Sequence, residues 1–187
     1  MSALGDAFES HLRQILDDFL TAIRGIPADD LNTWKPAMAV AGDQEITTFA
    51  AMGVHVVGAG EFMTLTAVGG APDTRDREAE FVATATYDEI AARFDAWLRQ
   101  LHDLLARTTE EQLAAPCATR RFAERGWTNA QALLHALDHS ALHLGHAQVQ
   151  RQLWEYERQH SPSHDGPVKM PKGTNRITDK TAGRTNA

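Results

Sequence analysis

Apolar residues recur at intervals of three and four along four long segments, the spacing that lines one face of an α-helix. The first segment runs from about Ser2 to Arg24, with Leu4, Phe8, Leu12, Ile15, Leu16, Phe19, Leu20 and Ile23 in one stripe, and ends at Ile26-Pro27. A linker with one short helical turn, ADDLNTW, and a breaker at Pro36 leads to a second helix, expected to be capped by Asp43 and to reach about Val68 before Gly69-Gly70. Thr86 and Glu89 stand in capping-box register ahead of the third helix, whose stripe is Ile90, Phe94, Trp97, Leu98, Leu101, Leu104 and Leu105 and which fades near Thr108. The fourth starts at Thr128, with Gln131 as its capping partner, and continues to about Arg158 with Gly145 as its only breaker.

No run of strand-like alternation and no internal repeat competes with this pattern. The expectation is an all-α four-helix bundle over residues 1–158, with a long crossover between helices 2 and 3. An irregular C-terminal tail, 159–187, follows it. The tail is polar, rich in Pro, Gly, Ser, Thr and Asn, with five basic and two acidic residues. The body holds 13 basic and 23 acidic residues, so a +3 tail follows a −10 body. Such a tail does not fold alone. It is expected to be a flexible or loosely docked terminus, the alternative being a strap held against the acidic body.

The net charge of −7 argues against nucleic acid as a partner, because phosphate binding relies on clustered Lys and Arg. No uninterrupted apolar stretch has the length of a membrane span, and the N-terminus lacks the pattern of a secretory signal, so the expected location is cytoplasmic, with no membrane partner. Cys117 is the single cysteine, which leaves no intramolecular disulfide; its thiol would be reactive if Arg120 or Arg121 lowered its pKa. A homodimer is expected to cover exposed apolar residues on the first and third helices.

Four of the nine histidines fall within twelve residues of the last helix, in HALDHSALHLGH. At about 100° per residue His135, His139, His143 and His146 fan over an arc of roughly 80°. Pairs spaced i, i+4 set two imidazoles one above the other, the spacing with which one helix supplies two ligands to zinc. A third ligand must come from elsewhere, and His55, between Val54, Val56 and Val57 in the second helix, is the candidate. Three neutral imidazoles leave an open position, the mark of a catalytic rather than a structural metal site. Asp138 and Glu61 are candidate outer partners. Against this stand a satisfied core role for His55 and an exposed polar face for the cluster, although Leu134, Leu137, Leu142 and Leu144 around the same helix argue against full solvation. His11, His102, His160 and His164 read as surface or tail residues. A carboxylate-bridged di-iron site would need two Glu-x-x-His pairs facing inward, which the helices do not supply.

The stretch His135-Ala-Leu-Asp-His139-Ser-Ala-Leu-His143-Leu-Gly, with Gly126-Trp127-Thr128 before it and a mid-helix His55, resembles the last-helix signature of the DinB-like superfamily. The resemblance covers about residues 1–158. It implies a four-helix bundle, often dimeric, that holds a divalent metal ion through His55, His139 and His143. Relatives include S-transferases using bacillithiol or mycothiol and a thiol-dependent maleylpyruvate isomerase. Where the family commonly has Gln after the glycine of the last motif, this chain has His146. The expected function is therefore a metal-dependent thiol S-transferase using a low-molecular-weight thiol and a small-molecule substrate, with zinc or nickel as the leading ions and iron or copper compatible. His146 and His135 are the candidate catalytic acid or base. The alternatives are a non-catalytic metal-binding or stress-associated protein and a metal-dependent hydrolase on the same site.

Overall fold

The computed structural model describes residues 2–36 and 47–160. Its first helix, α1 (Ala3–Ile23), is capped by the Ser2 hydroxyl accepting from Gly5 N and ends at Gly25, whose φ of +73° only glycine adopts without strain. Leu12, Ile15, Leu16, Phe19 and Ile23 form its buried stripe. The short turn read from ADDLNTW is α2 (Ala28–Thr33). Next comes α3 (Phe49–Glu61), continued by a π-helical turn over Phe62–Thr66. Its cap is Thr48, whose hydroxyl accepts from Ala51 N. The expected cap, Asp43, lies outside the described residues.

The long connection after α3 carries α4 (Arg77–Glu80), a single turn capped by Asp76. Then α5 (Tyr87–Arg107) begins at a complete capping box: Thr86 Oγ1 accepts from Glu89 N while Glu89 Oε2 accepts from Thr86 N. All seven residues of its expected stripe are buried. Two short helices, α6 (Glu110–Ala114) and α7 (Arg120–Ala123), occupy the turn before the last helix, α8 (Asn129–His160). The reciprocal Thr128 and Gln131 hydrogen bonds start α8 where the sequence pattern sets it, and it runs two residues past the expected end of the bundle.

The four long helices close a ring in which α1 and α3 each pack against both α5 and α8. Among the described residues α3 is the one helix that, extended through Thr66, is long and apolar enough to cross a membrane; 72% of that stretch is buried inside the protein. A helix enclosed on every side loses its polar face, and α3 carries ten buried residues in thirteen. Close packing at its C-terminal end requires Gly60, where a β-carbon would collide with the Trp97 ring. Trp97 Nε1 donates to Thr64 Oγ1 at 2.9 Å, and Thr64 Oγ1 donates to Gly60 O, so the π-turn is tied to α5 through the indole.

The buried residues of α8 include the short side chains Ala132, Ala136, Ser140 and Ala147, beside Asn129, Leu133, Gln150 and Trp154. His139 and His143 on the same helix are half-buried. Leu134 and Leu142, expected to help shield this helix, are instead exposed. Of the exposed large apolar side chains among the described residues, Leu4 lies on the first helix as expected, none lies on α5, and Leu134, Leu142, Val149 and Tyr156 lie on α8, with Val82 in the connection before α5.

Candidate metal centre

His55 from α3 meets His139 and His143 from α8 across the packed helix pair. The ring centroids lie 5.1 Å apart for His55 and His139, 5.0 Å for His55 and His143, and 4.5 Å for His139 and His143. One nitrogen from each ring lies within 4.8 Å of the others, close enough for a single ion to bind all three. The Nδ1 atoms of His139 and His143 are buried and have no hydrogen-bond partner among the described residues. Buried polar nitrogens left without a partner are costly, and an ion in this cluster is a partner the protein itself does not supply.

Burial, reinforced by the neighbouring imidazoles, lowers the pKa of His139 to about 3 and of His143 to about 4. Both are therefore neutral at pH 7, the form a metal ligand needs. His55 is held from behind: its Nδ1 lies 2.8 Å from Glu80 Oε2. Glu80 is clasped on both oxygens by Arg75, through Nε and Nη2 at 2.7 Å each. Burial alone would raise the Glu80 carboxyl, but the hydrogen bonds from Arg75 and His55 outweigh it and hold its pKa below the usual carboxylate value. An ionised Glu80 accepts from His55 Nδ1, which leaves Nε2 as the ring nitrogen available to the cluster. Room for this carboxylate comes from Gly58, where a β-carbon would run into it.

The site opens into a cavity of about 560 Å³ walled by the three histidines with Arg77, Phe81, Leu142 and His146. The two candidate catalytic histidines separate here. His146 is exposed and lines the cavity, its ring 5.3 Å from that of His143. His135 is not in the cavity wall; it stands edge-on to Trp127 at 5.0 Å, with its ring 6.3 Å from that of His139, and burial lowers its pKa.

A model of the DinB superfamily matches residues 11–147, well over half of the chain. The chain belongs to the DinB superfamily. No curated protein sequence matches it. A crystal structure of a conserved protein from Enterococcus faecalis superposes with a TM-score of 0.63 at 16% identity, over 82% of this chain and 98% of that one, which supports the DinB-like fold.

Several expectations change at this site. The outer partner of the ligand set is Glu80, backed by Arg75, rather than Asp138 or Glu61. Asp138 is exposed, and Glu61 pairs with Arg93 at 3.7 Å. Nothing in the hydropathy pattern marks Glu80, because its partner is 25 residues away; the glycine at 58, opposite a carboxylate in a short helix, is the one trace it leaves. Cys117 is buried, its Sγ lies 3.2 Å from Thr128 O, and burial pushes its thiol pKa up, so it is not the activated thiol that Arg120 or Arg121 would have produced. One Glu-x-x-His pair, Glu157 to His160, sits at the far end of α8. There His160 is exposed against Tyr156 O and Glu157 accepts from Trp34 Nε1, so it adds nothing to the metal centre.

Glu80→Gln replaces the anionic acceptor that orients His55 and matches Arg75 with a neutral amide, and is expected to weaken metal affinity about 10–100-fold in chelator competition; an affinity within about twofold of the parent would contradict the role given to the Glu80 charge. A second expectation concerns pH. Unfolded imidazoles take up protons near pH 6.5, whereas His139 and His143 in the folded protein resist protonation down to about 3 and 4. Between those limits the unfolded state binds more protons, so metal-free protein loses stability as pH falls. Its melting temperature should drop from pH 6.5 towards pH 4, and less steeply in a His139→Ala, His143→Ala double variant. Parallel curves would show that these imidazoles do not carry the effect.

Proposed function

We propose that this DinB-superfamily protein is a metal-dependent thiol S-transferase acting with a low-molecular-weight thiol. The observation that carries the reading is the pairing of three histidines, two of them held neutral, with a cavity of about 560 Å³ that reaches them. Space for a small molecule beside an incomplete ligand set favours turnover over a sealed metal store.

A divalent ion held by His55, His139 and His143 supplies the Lewis acidity that stabilises a thiolate near neutral pH. The chain's own part is to keep His139 and His143 unprotonated and all three imidazoles aimed. Arg75 and Glu80 fix His55, while α8 fixes the other two one helical turn apart. Phe81 and Leu142 give the cavity apolar surface. His146, on the same wall, is the group we assign to take the proton that the thiol releases and to return it to the leaving group as the sulfur bonds to the electrophilic carbon. His135, walled in by Trp127 and Phe122, is assigned to support His139 rather than to touch substrate.

Zinc- or nickel-loaded protein, offered glutathione, bacillithiol or mycothiol with monochlorobimane, is expected to conjugate at least one thiol about tenfold or more faster than metal-free protein. His139→Ala should abolish the gain, and His146→Ala should lower kcat while leaving metal content unchanged. Equal rates with and without metal for every thiol would refute the transferase reading.

A further inference from the structure

Among the described residues, the wall of the histidine cavity contains no carboxylate. Its formal charge comes from Arg77, while the acid nearest the ligand set, Glu80, is already matched on both oxygens by Arg75. Arg77 forms an ion pair with exposed Glu78 at 3.6 Å, a long contact between side chains 48% and 74% accessible, where screening leaves little attraction. The cavity is thus positive inside a chain whose body carries ten more acids than bases. Neutral imidazoles add no negative charge, so an ion bound by them deepens the surplus.

Phe81 packs against both Arg77 and the ligand set. The Arg77 guanidinium lies 4.8 Å from the Phe81 ring centroid, and the His55 ring centroid lies 4.8 Å from it on the ligand side. Cation–π stacking restrains the guanidinium on that ring without consuming its N–H donors. Arg77 and His55 thus contact the same aromatic side chain in one cavity wall, and a planar anion on a small molecule in that cavity meets a donor fork of matching shape.

We infer that Arg77 is a specificity-determining residue, which selects a thiol or substrate bearing an anionic group and seats that group beside Phe81. The inference rests on the thiol-transferase reading and names the charge of the molecule that site accepts. A cationic analogue of the same length meets repulsion at the same place.

The test is calorimetric binding of three small thiols of similar length, β-mercaptopropionate, β-mercaptoethanol and cysteamine, to zinc-loaded protein, without reference to turnover. The anionic thiol is expected to bind about tenfold more tightly than the neutral one, and the cationic one most weakly, as one charge-assisted contact implies. In Arg77→Gln the preference should collapse towards equality with metal content unchanged, and Arg77→Lys should retain part of it. Metal chelation by the probe's own carboxylate is common to parent and variants, so the change in ratio isolates Arg77. Equal affinities in the parent, or an undiminished preference in Arg77→Gln, would overturn this assignment and leave the thiol reading standing. Failure of all three thiols to bind would overturn both.

Discussion

A buried carboxylate has to be compensated, and in this protein the compensation of Glu80 arranges the rest of the site. Arg75 takes both of its oxygens and His55 completes the set, so a guanidinium, a carboxylate and an imidazole form one chain of hydrogen bonds from the crossover segment into the bundle. Removing Arg75 or Glu80 strands the other's charge in a largely buried place, where an unpaired charge costs several kcal/mol. The backbone is shaped to the same end: Gly58 leaves the space that the carboxylate fills, and α4 exists as one capped turn that delivers it. The long connection between α3 and α5 is thereby part of the candidate metal centre rather than a mere tether.

The charge pattern around that chain decides what the centre can do. Arg75 and Glu80 cancel, His139 and His143 are held neutral by burial, and the cavity wall contributes Arg77 and His146. A ligand set with no anionic donor leaves a bound cation its full charge, which is the condition for polarising a thiol or a water in the open position. The same arrangement favours molecules that bring negative charge with them. Metal chemistry and substrate charge are in this sense one electrostatic property of the pocket.

Much of this was legible in the sequence because it rests on local rules. The capping boxes at Thr86 and Thr128 and the apolar stripe of α5 are set by neighbours three and four residues apart, and they reappear unchanged. His139 and His143 follow the helical repeat in the same way, and His55 stood out as a polar residue among valines. What the sequence hid depends on contacts across the fold. Glu80 sits in a polar stretch that resembles any solvated loop until the tertiary structure sets it against His55. Leu134 and Leu142 look like core residues by composition, yet both are exposed, and Leu142 lines the open cavity rather than the core. The start of α3 lies later than the polar residues upstream suggest, because Thr48, directly before the apolar run, supplies its cap.

The central claim is that residues from α3 and α8 share one metal ion, and the most direct measurement is an anomalous-scattering map from crystals of zinc-loaded protein purified without a histidine tag. A single peak within coordination distance of His55, His139 and His143, with no protein side chain in its remaining position, is the result this account predicts. Density that leaves out His55, or a site with no peak while others on the surface are filled, would contradict it.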